Sequence, residues 1–571
     1  MSDRVGCGQG TLLILAAFWG LSTFASAKDY FVTVGGGYSV VGNQLSLERN
    51  VAFQQAVLAE QRPDGPSHDV FFADGEDELR DVQCRVKDFK TCCPPARRMM
   101  AELFGEGYAI DLYYRNHELD KVRDGADLST VRRRFRRLAR ELKAGDRLIV
   151  YFTGHGGPAA EPGDEYENEE VDYEVSDDEP DTPYNKFDTY FYFWNSESVA
   201  ASEFARWLDR FDRDVEVVLV MVQCYAGGFA HTIFQQADEE LGLSSHRRCG
   251  FFGQRHDRGA AGCTPDADES DYEEYSSYFW AALNGKTRSG KEIKSADYDR
   301  DGKISFAEAH TYAVIESDTI DIPVRTSSAL LAKYSHLGKP NAADGDEGDS
   351  VLGKMFGMLG SAKPADGRAP AELKGPLKEL ARRARPEQRA ILEQLPAKLS
   401  LSDAPTVEEV KQRIGQVGSN RKVAQAEYAL ATRAYQKAHS NTQEEVREIW
   451  PELMASSTPL SMELTSDRAT EFSEQVGKLA SYQALQTAAE RFKTASEKQL
   501  KAERKEARLQ RVIATCEDVV RAANLPLAAP KEVVDRFEKL VELENGNLGA
   551  AEGHAERSTG GDHESGAVDQ R

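Results

Sequence analysis

The chain is short of basic residues, sparing with cysteine, free of internal repeats, and carries no long hydrophobic run beyond its first residues. Lys and Arg number 71 against 95 Asp and Glu, a formal charge of −24 with pI ≈ 5.1. A chain this acidic is repelled by phosphate backbones, which argues against nucleic acid as a partner. Without a repeat, solenoid and propeller architectures are set aside. Without a second long apolar run, no membrane association is expected once the N-terminal segment is removed. The eight cysteines fall at spacings that fix no pairing. Cys84 with Cys92 or Cys93, and Cys249 with Cys263, are compatible with bridges only if the loops between them fold back.

At the N-terminus Arg4, an apolar stretch from Leu12 to Phe24 and then Ala25-Ser26-Ala27 read as a charged n-region, an h-region and a small-residue cleavage site. The apolar run falls short of the roughly 20 residues a span needs. Residues 1–27 are therefore expected to be a signal peptide, and the protein to be exported to the periplasm or the extracellular space. Removing them takes Cys7 and leaves seven cysteines, an odd set that favours a free, reactive thiol. At 571 residues the chain exceeds one ordinary core, so two or three domains are expected.

From residue 28 to 337 short apolar runs alternate with amphipathic stretches. Tyr30 to Val34, Asp69 to Phe72, Arg147 to Phe152 and Val215 to Val222 read as strands. Leu47, Val51 and Leu58 step at helical spacing, and Ala96 to Leu103, Ser129 to Leu142 and Ala201 to Phe211 read as helices. Apolar strands separated by helices predict an α/β domain, a mostly parallel sheet covered on both faces. Residues 161–181 form an acidic insert, expected to be a solvated loop, with a lid or a divalent-cation trap as the alternative. Residues 338–370 read as a linker, 371–527 as an all-α region (a helical bundle or an antiparallel coiled coil), and 528–571 as a short helix with a disordered tail.

Two motifs carry chemistry. The first strand of a pair ends in Thr153-Gly154-His155-Gly156-Gly157, the second in Gln223-Cys224-Tyr225-Ala226-Gly227-Gly228. If these strands are parallel neighbours, about 4.8 Å apart, imidazole and thiol come within reach of each other. His155 is then the base, with its imidazolium lowering the thiol pKa, and Cys224 the nucleophile. Gly156 and the Cys224 N–H are placed to hold an oxyanion.

On these residues the chain resembles the caspase–legumain–metacaspase–gingipain clan of cysteine peptidases. Tyr151 to Gly156 is similar to the strand-plus-His-Gly segment of metacaspases, and Cys224-Tyr225-Ala226-Gly227 to their Cys-His-Ser-Gly. Gly35-Gly36 followed by Asn43 to Asn50 looks like a bacterial caspase-like subgroup. The resemblance covers about residues 29 to 335. It implies a three-layer α/β/α caspase-like fold and a His-Cys dyad that needs no third residue. It also implies that residues 244–271 hold the next strand and part of the cleft, where Asp266, Asp268 and Glu269 are candidate contacts for a basic P1 side chain or simply solvated charges. The metacaspase Asp two residues before the Cys is Val222 here, and the caspase Gln of that place is displaced to Gln223, so neither P1 preference carries over. Arg247-Arg248 is either a self-cleavage site or an ordinary basic loop.

The second motif, Asp297 to Glu308, matches the EF-hand loop at its diagnostic positions. Asp297, Asp299 and Asp301 supply carboxylates, Lys303 a carbonyl, Ser305 a direct or water-mediated contact and Glu308 a bidentate closure. Gly302 allows the turn, and Ile304 is the apolar anchor. Gly285 and Gly290 interrupt any incoming helix and no second loop is present, so a stabilising Ca²⁺ is expected rather than a sensor. Together these residues predict an exported cysteine endopeptidase with bound calcium, acting on a peptide or protein substrate through an acyl-thioester. The C-terminal helices are expected to serve self-association or partner binding. A transpeptidase of the same chemistry and a non-catalytic calcium-binding scaffold are the alternatives.

Overall fold

A computed structural model describes residues 28–549, apart from 79, 88–92, 106–110, 161–183, 265–273, 339–368 and 452–466. The expected signal peptide, acidic insert, most of the linker and the Asp266, Asp268 and Glu269 candidates lie outside these residues. In chain order the strands are β1 (Asp29–Gly35), β2 (Ser67–Phe72), β3 (Val82–Arg85), β4 (Leu112–Arg115), β5 (Val122–Asp124) and β6 (Arg147–Thr153). They continue with β7 (Gly156–Gly157), β8 (Tyr190–Tyr192), β9 (Ser198–Ala200), β10 (Glu216–Met221), β11 (Arg248–Phe252) and β12 (Val324–Arg325).

Seven of these form one sheet in the order β12-β11-β10-β6-β1-β2-β5. Every pairing is parallel except the edge strand β12, which runs antiparallel to β11. Every residue of β6 is buried, as befits the centre of a sheet covered on both sides. Successive side chains point to opposite faces. Tyr151 meets Trp280 at 5.3 Å between ring centroids on one face, and Phe152 meets Phe204 at 5.4 Å on the other. The first face carries the helices Leu45–Gln61, Tyr275–Asn284 and Phe306–Glu316, the second Leu128–Glu141 and Ala201–Leu208. The result is three layers, α/β/α. The helix Leu128–Glu141 starts where the Asp127 carboxylate accepts from the Thr130 N–H, a side-chain N-cap.

The amino edge of the sheet is sealed by charge. Arg147 places Nε 2.9 Å from Asp29 Oδ1, and Arg62 also pairs with Asp29; all three side chains are buried. In open α/β sheets generally, ligands bind outside the opposite, carboxyl edge.

The C-terminal region is helical. Val407–Ile449 and Ala480–Ala528 form an antiparallel hairpin: Arg421 pairs with Glu506, Glu427 with Lys498, and Tyr435 stacks on Phe492. The partner numbers fall as the first helix advances. Helices Leu377–Arg383 and Pro386–Lys398 pack at its base in a shared core with Val512, Cys516 and Val520. The tail departs from expectation. Residues 545–549 are not disordered: Leu548 is buried, the Ser305 backbone bridges to Asn547, and the Phe306 N–H donates to Gly546 O at 2.8 Å. Backbone donors of the 297–308 loop and guanidinium groups of the sheet edge give this short segment partners that composition does not reveal. No helix among the described residues is long and apolar enough to cross a membrane.

Candidate active site

Strands β6 and β10 are parallel neighbours, with Phe152 opposite Met221. His155 and Cys224 each stand three residues beyond that pair, so the register brings both to the same edge at the same level. The two tips touch. A Cβ built on Gly156 would lie 2.4 Å from the Cys224 carbonyl oxygen and 2.5 Å from Gln223 Cγ, an approach only glycine permits. Gly156 opens β7, opposite Phe191 of β8. The Tyr192 N–H donates to His155 O at 3.0 Å, which makes Gly156–Phe191 a non-hydrogen-bonded pair and leaves the Gly156 N–H outside the ladder. Beyond Cys224 the chain turns at Tyr225, a non-glycine residue with φ of 59°.

The His155 ring is not the exposed strand-tip imidazole that the sequence suggests. Its Nε2 lies 2.8 Å from Gly42 O and 3.0 Å from Gln44 Oε1, and Tyr38 packs edge-on against it at 5.2 Å. Two acceptors at Nε2 place the proton there and leave the Nδ1 lone pair as the basic site of the neutral ring. Burial depresses the imidazole pKa below its usual value, with the Gly42 hydrogen bond opposing.

Among the described residues no hydrogen bond joins this ring to the Cys224 thiol. The sulfur instead accepts from the Ala260 N–H at 3.2 Å. Burial pushes the thiol pKa up; the Ala260 N–H lowers it, and the negative charge of Asp321 raises it further. Burial therefore favours the neutral thiol and neutral imidazole, the reverse of the imidazolium-activated thiolate expected from the motif alone.

The specificity candidates are placed as follows. Val222 and Gln223 are both buried, Gln223 against the position of Gly156. Arg247 pairs with Glu216 at 2.6 Å. Arg248 lies within β11, 1% exposed and paired with Asp209 at 3.0 Å, whereas Arg247 stands in irregular chain just before the strand and is half-buried. Alternation along the strand turns Arg248 inward. Cys84, Cys93, Cys224, Cys249, Cys263 and Cys516 are free thiols, and Cys92 lies outside the described residues.

At the second motif, oxygens of Asp297, Asp299 and Glu308 lie within 4.8 Å of one another. Asp297 Oδ2 accepts from the Gly302 N–H at 3.1 Å, and Gly302 has φ of 84°, the turn that glycine serves here. Asp301 lies outside this cluster; its Oδ1 accepts from the Lys303 N–H at 2.8 Å. Ser305 caps the helix Phe306–Glu316 in a reciprocal pair with Glu308. The donor set is all oxygen and anionic, which suits a hard divalent cation. Ile304 packs against the main core, and the helix that would precede an ordinary EF-hand loop is replaced by irregular chain after Asn284.

Three contributors carry no motif: Gly42, Ala260 and Asp321. Gln44 stands inside the segment read as subgroup-like, without a role assigned to it. Backbone groups and a lone carboxylate distant in sequence leave no spacing signature, so only tertiary structure brings them to the site.

No protein-family model matches the chain, and no curated protein matches it. Among solved structures, a crystal structure of a protein from Geobacter sulfurreducens is similar over 52% of this chain and 92% of its own length, with 12% identity and a TM-score of 0.28.

Proposed function

We propose that the protein is an exported cysteine endopeptidase with a caspase-like His-Cys dyad. The observation that carries this reading is the in-register arrival of His155 and Cys224 at the carboxyl edge of adjacent parallel strands, with glycine at the point of contact. In the reaction His155 Nδ1 takes the thiol proton as Cys224 attacks the scissile carbonyl, and the same proton passes to the leaving amine. The Gly156 and Cys224 N–H groups face the oxyanion, and water then hydrolyses the acyl-thioester. Calcium held by Asp297, Asp299 and Glu308, with Asp301, Lys303 and Ser305 completing the shell, braces the end of the catalytic domain. Exposed Val423, Leu430 and Leu500 on the helical hairpin support self-association or partner binding through that arm. The signal-like N-terminus supports export.

A non-catalytic calcium-binding scaffold is the second reading, favoured by the absence, among the described residues, of a thiol–imidazole hydrogen bond and by a Cys224 that is only partly exposed. Thiol alkylation separates the two. Under the peptidase reading Cys224 labels faster than the other cysteines at neutral pH, and His155→Ala slows it by about 10²-fold or more, the usual worth of a general base. Slow labelling indifferent to His155→Ala would sink the enzyme.

A further inference from the structure

We infer that Asp321 is a positioning residue for Cys224: its carboxylate holds the Ala260–Ala261 backbone so that one N–H points at the nucleophilic sulfur. The inference rests on Cys224 being the nucleophile.

The Ala260 N–H reaches the sulfur from a surface segment, Gln254 to Thr264, in which Gly259 is exposed. Surface loops are the least rigid part of a fold, so an N–H aimed at a reacting atom needs an anchor. Two anchors are present, and both come from the chain after Ser317. Gln254 accepts from the Ile322 N–H at 3.0 Å and donates to Gly259 O at 2.8 Å. Asp321 Oδ1 accepts from the Ala261 N–H at 2.7 Å, one residue from the donor to sulfur. Gly262 (φ 128°) and Cys263 (φ 46°) then turn the chain away.

Asp321 is 1% exposed, and its own orientation is determined on every side. Its Oδ2 accepts from the Thr319 hydroxyl at 2.9 Å. Its carbonyl accepts from Arg511 Nε at 2.7 Å, and Arg511 also binds the carbonyls of Val314 and Ser317. The charges facing it are the Arg511 guanidinium from the long hairpin helix and the Glu274 carboxylate at the start of Tyr275–Asn284. Chain 317–321 is thus fixed by the helical arm, and through Asp321 it fixes the donor at the thiol.

Asp321 acts on the sulfur in two opposed ways. It orders an N–H that stabilises thiolate, while its negative charge disfavours thiolate. The two effects come apart in two variants. Asp321→Asn keeps an oxygen to accept from Ala261 and removes the charge; Asp321→Ala removes both.

The test is the pH dependence of Cys224 alkylation by iodoacetamide in the full chain, with fold checked by circular dichroism. Asp321→Ala is expected to label about tenfold more slowly at pH 7, the worth of one hydrogen bond to a charged group, with its pH midpoint moved up. Asp321→Asn is expected to label at least as fast as wild type, with its midpoint moved down. If Asp321→Ala fails to fold, Thr319→Val, which removes the hydroxyl shared by Oδ2, the Asp321 N–H and Arg511 but leaves the Asp321–Ala261 hydrogen bond, is expected to move the midpoint up by a smaller amount. Faster labelling in Asp321→Ala would overturn the inference by showing that the Gly259–Ala261 segment is a plug over the thiol. Identical profiles in Asn and Ala variants would overturn it as well. A wild-type Cys224 no more reactive than the other cysteines, and indifferent to His155→Ala, would instead defeat the peptidase reading on which the inference rests.

Discussion

A carboxyl group buried beside another cannot stay ionised cheaply, and Asp81 is such a group. It is wholly buried at the carboxyl edge of the sheet, and its pKa is pushed up to about 7 by burial first and by the charge of Asp74 second. Its carbonyl accepts from Asn43 Nδ2 at 3.0 Å, and the residues flanking Asn43 are those that hold His155 Nε2. A raised folded-state pKa means that the native state binds the proton more tightly than the unfolded chain. This contribution to stability is fully present below the unfolded carboxylate pKa of about 3.8 and is lost as pH rises toward 7. Asp81→Asn, which mimics the protonated acid, is therefore expected to stabilise the fold at pH 8 by about 1–3 kcal/mol. The gain should shrink toward zero near pH 4. Urea midpoints measured across that range check it, and a gain that is the same at both ends would refute the account of Asp81 as a buried acid held protonated by the fold.

Among the elements, the EF-hand-like loop 297–308 is half of a familiar device joined to an unfamiliar partner. EF-hand loops usually pair with one another through a short strand, whereas here the residue after Ile304 bridges to Asn547 of the C-terminal segment. That segment goes on to the sheet edge, where Leu548 O accepts from Arg62 and Gly549 O from Arg147. Glu308 is buried, and desolvation raises its pKa despite N–H donors from Tyr298, Asp299 and Ser305. A cation at this carboxylate relieves the same penalty. Calcium at a hundredfold excess over Kd is expected to stabilise the protein by about 2.7 kcal/mol. Scanning calorimetry should show a raised Tm for wild type and none for Glu308→Gln. Equal shifts in the two proteins would remove calcium from this loop.

At the scale of the whole molecule, the helical hairpin is a strap rather than a free arm. Its base is held by Arg511, which is 2% exposed and surrounded by acceptors of residues 314–321. Its far end returns to the α/β domain, where Phe472 and Val476 of the helix Asp467–Lys478, which lies between the two arms in sequence, share a cluster with Ala96 and Leu103, and Tyr482 donates to Glu102 at 3.0 Å. Arg511→Met leaves several buried acceptors without a donor and is expected to cost about 3–5 kcal/mol. Denaturant titration measures this loss, and a change below about 1 kcal/mol would show that the strap is not anchored there.

The helices and strands of the α/β domain were legible because their burial follows period: Leu47, Val51 and Leu58 at helical spacing, and β6 and β10 as unbroken apolar runs. The order of the two tips was legible too, since parallel neighbours bring His155 and Cys224 to one edge wherever the register agrees. The ends were less so: Ala201 to Phe211 was expected as one helix, and the helix stops at Leu208. Residues around the site that carry no period stayed hidden. Gly42 acts through a carbonyl, Ala260 through an N–H, and Asp321 and Arg511 are distant charges that meet only when the hairpin docks. Local sequence dictated which residues reach the carboxyl edge, because periodicity and glycine act within a few residues. The protonation preference of His155 and Cys224 was decided only by tertiary structure, because burial and hydrogen-bond partners come from chain far away.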